Sequence, residues 1–336
     1  MAYIHTKTIN GKKYYTLRIS VRNNNKVVTK DICNLGNDLS KIKIEDLENK
    51  YKKEIRNSYS NIKKFLDSNY YLEKAKKLKL KKNEYFSSKQ LIEIEAILIH
   101  FKKKFSKLNK LTKKELLDNF FLNFAVNSTS IEGNTIGLEE AGKLFRENIL
   151  PKNKELREVY DLINTKKTIE FLEKEKPKIN LILISKIHDM LLENIDSRKG
   201  YRNHEIKIFG QPFKPSPARY IKTDLKLILD WFNKNKKKMH PLVLTILFHH
   251  KFEKIHPFSD GNGRTGRALM NYILSSFNYP PLIISRRFRE EYLDSMDAAD
   301  NALKKSLISV DTKKYKKLMS FIHSQFIFSY WDMFLV

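Results

Sequence analysis

The sequence has little of what builds secreted or membrane-spanning proteins. Among its 336 residues there is one cysteine, Cys33, so no disulfide can form within the chain. No run of about 18 uninterrupted apolar residues occurs, which argues against a membrane span. The first residues also lack the basic segment and apolar core of a signal peptide. These absences lead us to expect a cytoplasmic protein with no membrane partner.

Two longer patterns are missing as well. No tandem repeat of fixed period is present, and the Walker A sequence Gly-x4-Gly-Lys-Ser/Thr does not occur, which argues against an ordinary ATPase. Hydrophobic residues nevertheless make up 41% of the chain, enough to bury a sizeable core.

The charge balance is strongly basic. Lysine and arginine number 65 against 38 aspartates and glutamates, for a net charge of +27. Such a charge fits an acidic partner, but the lysines are spread along the sequence, which favours compositional bias. Nucleic acid therefore stays open as a partner without support from the sequence, whereas the charge favours a polyanion such as ATP. The sequence leaves a homo-oligomer open too.

The first 80 residues favour a small β-meander. Alternating segments at 3–9 and 13–20 flank Asn10-Gly11, a strong hairpin signal because both turn positions tolerate positive φ. A third strand is predicted at 26–32. Since three short strands are marginally stable alone, we expect the sheet to lean on a helix. We treat residues 1–80 as an accessory region of unknown role.

From residue 44 the pattern becomes helical, and we predict a mainly α domain over residues 85–336. Capping boxes at 87–90 and 112–115 predict two helix starts. Further helices are predicted at 153–174, 180–195, 223–236, 241–255, 264–277, 286–304 and 311–333.

One segment interrupts the helices. Residues 204–213 alternate polar and apolar side chains and precede Pro215 and Pro217, which predicts a short hairpin. Its strand, Ile206-Lys207-Ile208-Phe209, could dock an extended peptide. An ordinary surface loop fits the local pattern equally well.

The run from His256 to Arg267 concentrates chemistry suited to phosphate groups. The apolar helix at 241–255 delivers His256 at its C-terminal end, which we expect to raise the basicity of the imidazole. Gly261 and Gly263 allow backbone N–H groups to turn towards one point. The next helix adds its positive N-terminus, and together they form an anion site.

The charged and amide side chains of this run complete the site. Asp260 fits a ligand of Mg²⁺ or Mn²⁺, since hard cations take one or two carboxylates plus phosphate oxygens. Asn262 can donate a hydrogen bond to phosphate. Arg264 and Arg267, three residues apart, project from neighbouring positions of one helical face and suit bidentate phosphate contacts. Each residue alone has an ordinary structural explanation, but the joint pattern does not.

The whole run resembles the signature of the Fic family, His-Pro-Phe-x-(Asp/Glu)-Gly-Asn-Gly-Arg-x-x-Arg. The resemblance extends over roughly residues 110–330, through the approach helix ending in Phe252-Glu253-x-Ile255 and the later segments at 279–283 and 289–293. The hairpin near 206–213 stands where Fic proteins carry the flap that holds a target segment. Residues 1–80 lie outside the resemblance.

The resemblance implies transfer of AMP from ATP to a hydroxyl of a target protein, self-modification included. His256 would be the general base and Asp260 the metal ligand. The implied phosphate-binding residues are Gly261, Asn262, Gly263, Arg264 and Arg267, the last gripping the γ-phosphate.

A second motif stands upstream, within a helix predicted at about 112–133. By itself Ser128-Thr-Ser-Ile-Glu132-Gly133 reads as a polar helix end with Gly133 at the cap. It also resembles the family's inhibitory motif, (Ser/Thr)-x-x-x-Glu-(Gly/Asn). That resemblance implies an inhibitory role for Ser128, Glu132 and Gly133. A Glu–Arg pair can be bidentate and strong, and if Glu132 engages Arg267, the γ-phosphate loses its partner.

Other functions stay open. A Fic enzyme can remove AMP or transfer another phosphate-containing group, and a nucleotide-responsive regulator that binds DNA or protein is an alternative of another class. A metal site from His249, His250 and His256 is weak, because adjacent side chains on a helix do not converge on one ion.

Overall fold

The computed structural model describes residues 1–23, 26–206 and 214–335, which form two compact units. The N-terminal unit comprises residues 1–82 and 88–107 together with Phe334 and Leu335, and the helical unit comprises residues 83–87 and 108–333. Residues 88–107, expected to open the helical domain, thus group with the N-terminal unit. Their helix carries His100, whose ring lies edge-on to Tyr71 with 4.9 Å between the centroids.

The N-terminal unit contains the expected three-stranded antiparallel meander. Strands β1 (Ala2–Ile9), β2 (Lys12–Asn23) and β3 (Lys26–Gly36) lie in the order β1-β2-β3. Asn10 and Gly11 join the first two strands with φ angles of 50° and 73°, the left-handed geometry that an Asn-Gly hairpin requires.

Helices cover one face of this sheet. The unit's helices are α1 (Ile44–Ile55), α2 (Tyr59–Lys76) and α3 (Ser88–Lys103). Tyr15 and Leu17 of β2 are buried in one apolar cluster with Ile62 and Leu66 of α2. The sheet therefore leans on helices, as its small size requires.

The helical unit confirms the predicted mainly α fold. Its helices are α4 (Lys110–Ile131), α5 (Leu138–Glu147), α6 (Leu156–Glu175), α7 (Leu181–Leu191), α8 (Ile221–Asn235), α9 (Pro241–Ile255), α10 (Asn262–Ser276), α11 (Arg289–Asp300) and α12 (Thr312–Met333). Within the described part of the chain, none of the helices combines the length and apolarity that a membrane crossing needs.

Helix α4 starts earlier than its predicted capping box. Asn109, not Thr112, is the N-cap, and its side-chain oxygen accepts a hydrogen bond from the Thr112 backbone N–H at 2.9 Å. The Asn side chain satisfies a first-turn donor, so the helix begins there. At the other end α4 stops at Ile131, and Gly133 follows with φ of 107°.

Helix α9 lies in the middle of the helical core. Its side chains from Leu242 to Phe252 are all buried, and Leu247 is 0% exposed. Because α9 ends at Ile255, directly before the loop that begins at His256, the packing of this helix fixes the position of that loop.

We expect Leu247→Ala to lower the free energy of unfolding by about 2–5 kcal/mol, since it removes buried methyl groups and leaves a cavity. The control is Leu227→Ala on α8, where the leucine is 40% exposed and the cost should stay within about 0.5 kcal/mol. Urea unfolding followed by circular dichroism measures both changes. Similar losses for the two variants would show that α9 is not the core helix.

Candidate active site

Helix α9 ends at His256, which caps the helix in the left-handed conformation with φ of 51°. Pro257 follows and stops the helix. The imidazole Nδ1 lies 3.3 Å from the backbone carbonyl oxygen of Glu253. In this contact Nδ1 carries the proton and donates, which makes Nε2 the basic nitrogen of the ring.

Burial sets the acidity of His256. It lowers the pKa of the imidazole to about 4, although the Glu253 carbonyl acts in the opposite direction. The expectation that the helix C-terminus raises this basicity was therefore wrong, because desolvation outweighs the helix dipole. The imidazole is neutral at physiological pH, the form that can accept a proton.

The loop after His256 is held by its own side chains. Asn262 Nδ2 donates to the Phe258 carbonyl and its Oδ1 accepts from the Phe258 N–H, both at 2.9 Å. Gly261 has φ of 75°, and a Cβ there would come within 2.6 Å of Leu192. The loop thus needs glycine at 261 for two reasons, and the Asn262 amide is engaged in bracing the backbone.

Helix α10 begins at Asn262, and the N–H groups of its first turn have no acceptor within the helix. The Glu132 carboxylate occupies the space beside this turn, since a Cβ on Gly263 would overlap Glu132 Oε1. A helix N-terminus favours an anion. In this structure the anion beside it is a side chain of the same protein.

Arg267 extends from α10 to the end of α4. Its Nη2 lies 2.8 Å from Glu132 Oε1 and donates at 2.8 Å to the Ser128 carbonyl, while Nε donates to Ser128 Oγ at 3.0 Å. The guanidinium is 2% exposed and Glu132 is 40% exposed. The contact is thus one hydrogen bond to Glu132 supplemented by two to Ser128, rather than a bidentate fork.

A second acidic side chain, Glu253, lies near Arg267. Burial raises the pKa of the Glu253 carboxyl to about 8, which keeps it protonated at neutral pH. The ionised partner of Arg267 is therefore Glu132. This leaves the guanidinium dependent on one carboxylate, contributed by a different helix.

Arg264 turns to other partners than Arg267. It forms an ion pair with Asp161 of α6 and lies 3.3 Å from Asp260, and its side chain is 3% exposed. Asp260 also pairs with Arg157 of α6 at 2.8 Å. The predicted metal ligand is thus held between two guanidinium groups.

These side chains border a common cleft of about 420 Å³. Its lining includes Glu132, Arg157, Asp161, Asp260 and Arg264. Clefts of this size are typical of small-molecule sites. A larger cleft of about 720 Å³ lies along α7 and is lined by none of the motif residues, so we regard the smaller one as the candidate site.

Three of the positioning residues escaped the sequence analysis. Arg157 and Asp161 stand about a hundred residues before their partners, and nothing in the local pattern of α6 marks them. Arg202 is buried and donates to the backbone oxygens of His256, His204 and Ser216. Only a structure brings these contacts together.

The predicted flap is described only at its edges. Ile206 is partly exposed, while Lys207, Ile208 and Phe209 lie outside the described residues. Glu205 Oε1 accepts a hydrogen bond from the Ala218 N–H at 2.9 Å, and this contact joins the two ends of the segment. Through Arg202, both ends are also tied to the backbone at His256.

The neighbouring histidines serve packing. His249 Nε2 lies 2.6 Å from the Tyr292 hydroxyl, and His250 contacts Tyr315 at 2.9 Å and Asp300 at 3.0 Å. Among the residues that the structure describes, no group of three or more histidine, cysteine or acidic side chains could hold a metal. Asp260 alone fits Mg²⁺ only together with substrate oxygens.

Residues 178–274 match the model of the Fic/DOC family. Among curated proteins, "Protein adenylyltransferase fic-1" of Caenorhabditis elegans is 29% identical over 194 residues, covering 56% of this chain and 38% of the relative. "Protein adenylyltransferase Fic" of Aedes aegypti is 28% identical over 191 residues, covering 54% and 37%. The chain thus spans less than two fifths of the length of these relatives.

Solved structures share the fold. A Fic-domain-containing signaling protein from Bacteroides thetaiotaomicron superposes with a TM-score of 0.64 at 22% identity, covering 71% of this chain and 95% of that one. A Fic family protein from Desulfovibrio desulfuricans gives a TM-score of 0.58 at 23% identity, covering 73% and 75%. The family match falls on α7 to α10, which carry His256 and the whole loop after it, so this part of the chain is similar to the Fic/DOC family.

Proposed function

We propose that this protein is a self-inhibited adenylyltransferase that moves AMP from ATP to a serine, threonine or tyrosine hydroxyl of a target protein, itself included. One observation carries the proposal: a neutral imidazole, a helix N-terminus and Arg264 lie around one loop, and Glu132 occupies the anion position beside them. The names of the relatives, protein adenylyltransferase, support the same chemistry.

Two contributions would speed the reaction: proton transfer to a general base, and stabilisation of the negative charge on the phosphates. His256 Nε2 takes the proton of the target hydroxyl as its oxygen attacks the α-phosphorus. The bond from that phosphorus to the bridging oxygen breaks, and pyrophosphate leaves. General base catalysis of this kind contributes about 10²–10⁴-fold.

Charge on the phosphates is held by fixed donors. The first-turn N–H groups of α10, with Gly261, Gly263 and Arg264, face the developing charge, and Arg267 is the partner for the γ-phosphate. Asn262 contributes through the loop that it braces, and its amide would have to turn to reach a phosphate. Asp260 is the carboxylate that would hold Mg²⁺ or Mn²⁺, and such a cation supplies neutralisation of phosphate charge.

Inhibition follows from competition for Arg267. While Glu132 and Ser128 hold the guanidinium, a γ-phosphate has no cation there, and the α-phosphate is left misaligned. Small misplacements of this kind cost about 10²-fold in rate. We propose Ser128, Glu132 and Gly133 as the inhibitory segment.

The flap proposal rests on Arg202. Because this guanidinium joins both ends of the 206–213 segment to His256, a target strand paired with Ile206, Lys207, Ile208 and Phe209 would present its hydroxyl beside the base.

Removal of AMP is a second activity with a specific observation in its favour. The Glu132 carboxylate is 40% exposed and borders the same cleft as Asp260, so it is placed to orient a water.

Replacing the inhibitory glutamate should release the enzyme. We expect Glu132→Gly to raise AMP labelling of the protein itself and of lysate proteins by about 10²-fold, because Arg267 becomes available to the γ-phosphate. Mass spectrometry after incubation with ATP and Mg²⁺ measures it. Glu147→Gly, at the exposed end of α5, is the control. Equal labelling of wild type and Glu132→Gly would remove the inhibitory role.

Replacing the base should abolish transfer. In the Glu132→Gly background, His256→Ala should lower the labelling rate by about 10²–10⁴-fold while ATP binding, followed by calorimetry, persists. His204→Ala removes an exposed imidazole near the same loop and should leave the rate unchanged. Continued transfer by the His256→Ala variant would place the base elsewhere.

The ion pair of Arg157 should oppose metal binding at Asp260. Arg157→Gln is expected to raise Mn²⁺ affinity in the presence of ATP by up to about fivefold, since an exposed pair contributes about 0.2–1 kcal/mol. Electron paramagnetic resonance of free Mn²⁺ gives the affinity directly. Arg146→Gln on α5 is the matched control, and an equal gain there would mean that the effect is one of net charge.

A further inference from the structure

The β-sheet of the N-terminal unit has one covered face and one open face. Tyr15 and Leu17 point to the helices, and the alternate residues point away. The open face pairs Tyr3 with Arg18, Lys7 with Tyr14 and Ile9 with Lys12 between β1 and β2, and Arg18 with Asp31 and Arg22 with Val27 between β2 and β3. Among the basic side chains of these pairs, Lys7, Lys12 and Arg22 are exposed and Arg18 is partly exposed.

Acidic residues are scarce in this sheet, so its net charge is strongly positive. Residues 1–36 contain seven lysines and arginines but one acidic residue, Asp31, whereas the whole chain has 65 against 38. Asp31 is itself paired with Arg18 at 2.5 Å. Lysine and arginine are about as frequent here as in the whole chain, so the excess of positive charge comes from the scarcity of acidic residues in this element.

The hairpin of β2 and β3 extends beyond β1. Ala2 pairs with Ile19 and Met1 bonds to Ser20, and the ladder then continues as a two-stranded ribbon from Val21–Val28 to Asn23–Lys26. Val27, 69% exposed, lies opposite Arg22 on the open face, and Val28, 52% exposed, lies on the other face. Three residues per strand span about 10 Å at roughly 3.3 Å per residue.

A two-stranded ribbon of this kind fits a groove in DNA. The major groove is about 12 Å wide and 8.5 Å deep and admits a two-stranded β-ribbon. Small apolar side chains suit contact with thymine methyl groups, and hydroxyls such as those of Ser20 and Thr29 suit base edges. On the same open face, the side chains of Lys7, Lys12 and Arg22 suit contacts with the DNA phosphates.

We propose that this surface, the open sheet face with the ribbon 21–23 and 26–28, binds duplex DNA. An anionic membrane fits less well, because membrane-surface elements use tryptophan, phenylalanine or leucine, and residues 1–36 contain no phenylalanine or tryptophan. The proposal is independent of the active site, so its failure leaves the proposed transfer of AMP untouched.

Fluorescence anisotropy of the full chain with a 30-base-pair duplex over a salt series tests this. The variant carries Lys7→Gln, Lys12→Gln and Arg22→Gln, and its control carries Lys236→Gln, Lys237→Gln and Lys238→Gln, three exposed lysines after α8 with the same charge loss. Each lost phosphate contact makes the slope of log affinity against log salt less negative by about 0.9. We expect a change of about 2–3 for the sheet variant and no change for the control.

Several results would overturn the proposal. Equal weakening by both triple variants would mean that net charge, not this surface, binds DNA, and unchanged slopes would place the contacts elsewhere. Absence of duplex binding at low salt would contradict the proposal. Binding of phosphatidylserine vesicles in place of DNA would assign the surface to a membrane. Matching circular dichroism spectra confirm that the variants keep the fold.

Discussion

The pairing of one buried guanidinium with the end of another helix organises the candidate active site. Arg267 is removed from water, and a buried charge without a partner is strongly unfavourable. Ser128 and Glu132 supply that partner through three hydrogen bonds. Since the neighbouring Glu253 is protonated, the charge balance of the site rests on a carboxylate that can leave. A nucleotide phosphate is the natural replacement, because it brings negative charge to the same cation.

Burial governs the rest of the site in the same way. It lowers the pKa of His256 enough to keep the imidazole a neutral base, and it forces Arg202 and Arg264 to find fixed acceptors. Those acceptors are the backbone oxygens of His256, His204 and Ser216 for Arg202, and the carboxylates of Asp161 and Asp260 for Arg264. The groups that would act on a substrate are therefore held before a substrate arrives, which is the condition for electrostatic preorganisation.

Sequence reasoning found what local pattern encodes. The Asn10-Gly11 turn, the apolar helix before His256 and the glycines after it each follow from rules that act over a few residues, and the structure has them. Sequence reasoning failed where the outcome depends on groups that lie outside the local pattern. Asn109 displaced Thr112 as the cap of α4, and desolvation by surrounding helices reversed the expected basicity of His256. Arg157, Asp161 and Arg202 carry no local signal because their partners lie far along the chain. The charge of the β-sheet was visible in the sequence, but only its strand register showed which of those residues share a face.

The missing side chain at Gly263 limits how such an enzyme could evolve. The space over that glycine is filled by Glu132, and the proposed mechanism gives the same space to phosphate. A bulkier residue at 263 would expel the inhibitor and the substrate together. A homologue that loses the proposed inhibition but keeps the activity must therefore change the end of α4 and leave the loop intact. Uninhibited homologues should thus differ from this sequence at 128–133 rather than at 261–267.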